Sequence, residues 1–149
     1  IFGNSIHGLD IMTWLAGVID KPCITTHNMG HPFRWLMNVS GLTRNAVICN
    51  FSSSWDNPVP WRIVITARNR RYVFAPLERC YVHEQGVKEI REIKPHPEDV
   101  EFKPGFYKQN SFFVNGNFSD NDLGSVTNSM QLADELTKSL LSAFRSTSV

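Results

Sequence analysis

The chain opens with hydrophobic residues at helical spacing: Ile6, Leu9, Met12, Leu15 and Ala16, with Ile11 and Trp14 widening the stripe. Asn4 or Ser5 supplies a cap and Gly17 a stop, so the pattern predicts a largely buried helix over residues 6–16. Residues 23–27 are short and β-prone. The period then changes to two. Phe33, Trp35, Met37 and Val39 alternate with Arg34, Leu36, Asn38 and Ser40, which predicts a strand with one buried face. After a turn over 41–45, Val47, Cys49 and Phe51 alternate with Ile48, Asn50 and Ser52 in a second strand. The segment 55–60, with two prolines, reads as an irregular loop. Alternation resumes at 61–66, pauses at a turn over 68–71, and continues through 72–74 and 80–83; Gln85-Gly86 is a further turn, and 87–93 reads as another strand.

The last third is helical. Residues 95–104 read as a loop, and Pro104 is placed to start a helix marked by Phe106, Asn110, Phe113 and Val114 and ending near Gly116. Residues 115–124 are polar without period. Met130, Ala133, Leu136 or Thr137, Leu140 and Phe144 form the stripe of a closing helix over 127–144. One helix, several strands and two helices predict an α+β fold: an open, mostly antiparallel β-sheet with helices packed on one face.

Composition narrows the function classes. The 149 residues are 42% hydrophobic and 19% charged, with a net charge of +1. That suits one domain spanning 1–149, burying roughly 68–70% of its unfolded surface. A balanced charge lacks the broad positive field of a nucleic-acid binder, so no nucleic-acid partner is expected. No apolar run reaches about 18 residues, so no membrane span is expected. Three widely spaced cysteines, Cys23, Cys49 and Cys80, argue against a disulfide framework and for a reducing, cytoplasmic setting. The chain starts at Ile1 without a basic start or an apolar leader, which reads as a piece cut from a longer polypeptide or as a processed chain.

Candidate chemistry is sparse. No Gly-x-Gly-x-x-Gly, phosphate loop or Gly-x-Ser-x-Gly occurs, so this chain encodes no Rossmann cofactor site. His7 falls in the first turn of the first helix, where the positive end of the dipole favours neutral imidazole, a form suited to take up a hydroxyl proton. Asp10, three residues on, shares its face. The same pair also reads as a histidine near a cap beside a solvated aspartate. His27 and His31 are four apart, but Gly30 and Pro32 make a helix there improbable, so no metal site is expected. Cys80 and His83 fall on opposite faces of a strand. Arg68, Arg70 and Arg71 read as a solvated hairpin end. The sequons at Asn38, Asn50 and Asn117 are discounted for want of a secretion signal.

The segment Ile6-His-Gly-Leu-Asp10-Ile-Met-Thr-Trp14-Leu-Ala-Gly17 resembles the His-x-x-Asp-x-x-x-Trp-Leu-x-Gly helix of the glucose-fructose oxidoreductase / inositol dehydrogenase / MocA family. Three further stretches are similar and in the same order. They are Trp61-Arg-Ile-Val-Ile-Thr66 with Arg71-Tyr-Val-Phe-Ala-Pro-Leu-Glu78, then Phe102-Lys-Pro-Gly-Phe-Tyr-Lys-Gln109 followed by Phe112-Phe113, then the closing helix from Ser129. The resemblance implies the C-terminal domain of an NAD- or NADP-dependent oxidoreductase, with a dihydrodipicolinate-reductase-like sheet. An N-terminal Rossmann domain would carry the cofactor, and none would bind here alone. The expected partners are a sugar or polyol substrate and a second copy, met through the open sheet face in a homo-oligomer. His7 matches the family's active-site histidine, which assists proton transfer as hydride passes to or from the nicotinamide. Asn4, Asp10, Lys103 and Tyr107 are candidate substrate-binding residues on chemistry alone. One departure stands out: many members carry Asp four residues before the histidine, and here that position is Gly3. A non-catalytic ligand-binding or assembly module of the same fold is therefore the alternative.

Overall fold

A computed structural model describes residues 4–28, 35–54, 58, 60–116 and 120–146; side chains are described for all of these except 28, 120–126 and 143–146. In chain order the elements are α1 (Ser5–Ala16), β1 (Ile19–Asn28), β2 (Trp35–Thr43), β3 (Ile48–Ser54), β4 (Ile63–Thr66), β5 (Arg70–Phe74), β6 (Cys80–Glu84), β7 (Ile90–Ile93), α2 (Pro97–Glu101), α3 (Phe106–Val114) and α4 (Asp120–Ser146). The fold is α+β. The chain divides into two compact units, 1–57 with 119–149, and 58–118.

In the first unit β1, β2 and β3 form an antiparallel sheet in sequence order. The register decides which residues face inward. Ile24, Val39 and Phe51 stand side by side, as do Thr26, Met37 and Ser53, while Gly41 stands beside Cys49. This face packs with Leu9 of α1 and with Ala133 and Leu136 of α4 into one core, edged by Ile6, Met12, Ala16, Leu132 and Leu140. Each fully buried aliphatic side chain there contributes about 1.5–3 kcal/mol relative to exposure. The reverse face is largely polar: Thr25, Asn38 and Ser52 align across its middle, and Leu42 and Ile48 pair at one end.

Two close approaches fix α1. A Cβ on Gly8 would lie 2.6 Å from Cε2 of Phe51, so the helix needs a glycine to sit this near β3. Gly17 ends the helix at φ 88°, a conformation that disfavours side chains, and its N–H donates to the Thr13 carbonyl at 2.8 Å. The helix is less buried than its stripe predicts. The inward line is Ser5, Leu9 and Thr13, whereas Trp14 is 70% exposed and Leu15 is also exposed. Strand β1 starts earlier than residue 23, because Ile19 and Asp20 already pair with Thr43 and Leu42; the register then shifts where Lys21 takes φ 54° and Pro22 offers no N–H, and pairing resumes at Cys23. Strand β2 runs past Gly41 to Thr43, so the turn is tighter than expected: Ala46 N–H donates to the Thr43 carbonyl at 2.9 Å. Phe33 and Arg34 lie outside the described residues.

The second unit is a four-stranded antiparallel meander, β4-β5-β6-β7. The seven strands thus form two sheets and not one. Pro58 and Pro60, between β3 and β4, remove two ladder donors from the connecting segment. Ile63, Phe74, Cys80 and Ile93 align on one face, next to Ile65, Tyr72 and the buried Val82. On the other face Arg79 forms a bidentate pair with Glu92, at 2.7 and 2.8 Å, and lies over the Tyr81 ring. The stretch 95–104 is not all loop. Pro97 opens α2, and the His96 side chain accepts the Glu98 N–H at its start. Strand β7 is shorter than 87–93, and α4 begins at Asp120, inside the stretch that lacks sequence period.

Candidate functional site

Helix α1 places three of the five candidate residues. Asn4 is the N-cap residue; its carbonyl accepts the His7 N–H at 3.2 Å, and its exposed side chain makes no capping bond. His7 is exposed on the first turn, as the sequence places it. Asp10 is half-buried, and its Oδ1 accepts a hydrogen bond from Ser129 Oγ of α4 at 2.8 Å. Ser129 is itself 2% exposed, so this bond is a tie between two helices. A second tie joins Ser5 Oγ to Ser53 Oγ of β3 at 3.2 Å. The turn bearing His7 is therefore fixed two residues before and three residues after the imidazole, while the imidazole itself faces outward. The arrangement presents a proton acceptor or donor to solvent from a backbone held at both sides.

Sequence reasoning gave Asp10 to substrate and missed Ser129. The missed signal is a serine on the buried line of α4, where Ser129, Ala133, Leu136 and Leu140 follow one another at helical spacing. Met130, expected on that line, is exposed. Phe144 lies outside the described side chains.

Lys103 and Tyr107 belong to the second unit, Lys103 just before α3 and Tyr107 in its first turn. Lys103 Nζ sits 4.4 Å from the centroid of the Phe106 ring, and Tyr107 stacks on Phe102 with ring centroids 4.9 Å apart. Asp99 of α2 accepts the Gly105 N–H at 2.8 Å and so ties α2 to the start of α3. The exposed rings, an ammonium and a phenol form a local platform in which aromatic faces and hydrogen-bonding groups adjoin.

The remaining candidates have ordinary surroundings. His27 lies on β1, on the reverse face beside Leu36, and His31 lies outside the described residues. Among the described residues, no three of His, Cys, Asp and Glu gather as a metal site would require. Cys80 and His83 point to opposite faces of β6, and His83 donates Nε2–H to the Val87 carbonyl at 2.7 Å. The three cysteines are unbridged, and burial pushes the thiols of Cys49 and Cys80 above their ordinary range. Arg70, at the hairpin of β4 and β5, pairs with Glu84, which also takes Arg91. On the reverse face of the first sheet, Asn38 Nδ2 donates to Asn50 Oδ1 and Ser52 Oγ, so two sequon asparagines are engaged within strands. Asn117 lies outside the described residues. No described helix is long and apolar enough to cross a membrane.

No family model, no curated protein and no solved structure matches this chain.

Proposed function

We propose that this chain is the substrate-facing, oligomerising domain of an NAD- or NADP-dependent oxidoreductase acting on a CH–OH group of a sugar or polyol. One observation carries the reading. The His7-x-x-Asp10-x-x-x-Trp14-Leu-x-Gly17 segment, on which the family resemblance rests, is an anchored helix with an exposed histidine in its first turn. In this reading His7 takes the hydroxyl proton of the substrate or returns it, a role that needs imidazole within hydrogen-bond reach of the reacting oxygen. Asn4, beside it, offers an amide to sugar hydroxyls. Asp10 acts through its bond to Ser129 as a positioning group for the turn. Lys103 and Tyr107, with the rings of Phe102 and Phe106, are in this reading a separate surface within the second unit, able by itself to stack on an apolar sugar face.

Every strand pair among the described residues is antiparallel, whereas the Rossmann cradle uses parallel strands and a glycine-rich turn leading into a helix. NAD or NADP belongs in this reading to a separate half, and cysteine usage favours a cytoplasmic setting. Association with a second copy is assigned to the reverse face of the β1–β3 sheet, where Ile48 is 85% exposed beside Leu42.

The alternative is an assembly or ligand-binding module of the same α+β class without redox chemistry. It is favoured by Gly3 at the position where the family resemblance leads one to expect Asp. The two readings separate at the gene. A coding sequence upstream of Ile1 with a strand, a glycine-rich turn and a helix, and turnover of NAD or NADP by the full polypeptide with sugars, polyols or inositols, supports the oxidoreductase. A full polypeptide that binds a sugar yet turns over neither dinucleotide supports the module.

A further inference from the structure

We infer that His96 is a proton-operated switch on the contact between α2 and α3. Its Nδ1 lies 3.4 Å from the Glu98 backbone nitrogen and 3.1 Å from Glu98 Oε2. One ring nitrogen cannot serve both. In neutral imidazole with Nδ1 unprotonated, that nitrogen accepts the Glu98 N–H and caps α2. Glu98 Oε2 then has no hydrogen-bond donor, although this atom is shut off from solvent while the side chain as a whole is 34% exposed. Its other cationic neighbour is Lys108 Nζ of α3, at 3.9 Å. A buried acceptor left without a donor is costly, so the arrangement is poised to take one up.

A proton on Nδ1 changes the partners. The new N–H bond points its hydrogen at Glu98 Oε2, the Glu98 N–H loses its acceptor, and the imidazolium adds a positive charge beside Lys108. The carboxylate then pairs with His96 at the closer distance, and like-charge repulsion releases Lys108. The other charged groups about α2 do not replace either partner: Asp99 is held by the Gly105 N–H, and Lys94, Glu101 and Lys103 are exposed on its flanks. Acid therefore exchanges a link between two helices for one within a single turn. This removes one of two links between α2 and α3, and the Gly105 N–H bond to Asp99 remains. The inference does not depend on the oxidoreductase reading.

Nuclear magnetic resonance on the whole chain tests it, with pH stepped through the range of about 5 to 8 in which imidazoles titrate. The Glu98 amide and the Lys108 side-chain ammonium should shift together, with one shared midpoint. His96→Ala should abolish both steps. Glu98→Gln should keep the amide step at position 98 and lose the Lys108 step, because the cap survives while the carboxylate does not. A Lys108 signal that ignores pH across this range, or a step that persists in His96→Ala, overturns the inference. His96 and Lys108 are exposed and Glu98 is half-buried, and an amide spectrum of each variant confirms that the rest of the chain is unchanged.

Discussion

Replacing Gly8 by alanine sets two known effects against each other. In a helix interior the change gains about 0.8–1 kcal/mol, because glycine loses more backbone freedom on folding. The structure opposes it. The new Cβ would lie 2.6 Å from Cε2 of Phe51. Carbon atoms rest about 3.5–4.0 Å apart, so α1 or the ring must retreat by roughly 1 Å. Phe51 stands beside Val39, which is fully buried, and packs against the core, so it has little room to yield. Overpacking of this kind costs about 1–3 kcal/mol. The balance is a net loss of about 1 kcal/mol, read as a lower urea midpoint at unchanged slope. In a Phe51→Leu background the shorter side chain should remove the clash, and Gly8→Ala should then turn neutral or stabilising. A wild-type background stabilised by the full helix-propensity gain would refute the seating of α1 on β3.

Three further outcomes follow from named contacts. Ser129→Ala should cost about 1–3 kcal/mol, since it removes the hydroxyl from which Asp10 Oδ1 accepts; in a double-mutant cycle with Asp10→Ala, which removes the acceptor, the losses should be non-additive, and additive losses would dismiss the tie. Glu92 is held below its ordinary carboxylate range, chiefly by its hydrogen bond from Arg79. The contribution of this surface pair should be complete above the unfolded-state carboxylate value and lost as pH falls through the lowered folded one. Glu92→Gln should flatten that part of the stability–pH curve, and salt should shrink the difference between the two proteins. If the reverse face of the first sheet is the meeting surface, Ile48→Asp should convert a sedimenting dimer to monomer without loss of helix signal; an unchanged dimer would move the interface elsewhere.

Local elements were the most legible part of the sequence. The first helix, its stop at Gly17 and the alternation around Met37 and Val39 rest on periodicity, and the structure carries them. Long-range pairing was less legible. Period two marks strands but does not say which strands pair, so one open sheet was expected where β1–β3 and β4–β7 form two. The short α2 escaped notice because its cap is a histidine, outside the usual Ser, Thr, Asp and Asn set. Among candidate site residues, the exposed His7 could be placed from its position in the helix. The fate of Asp10 could not, because its partner Ser129 is 119 residues away and nothing local reveals the meeting. The stack of Tyr107 on Phe102 was equally hidden, since five residues apart across a helix start defines no fixed geometry.

The central claim is that His7 carries the substrate proton in a dinucleotide-dependent oxidoreductase. The most direct measurement compares kcat and dinucleotide affinity for the full polypeptide and its His7→Ala variant. Loss of a general acid–base group should lower kcat by about 10²–10⁴-fold while dinucleotide affinity stays the same. A variant that turns over as fast as the parent would contradict the claim and leave the imidazole as a surface side chain of α1.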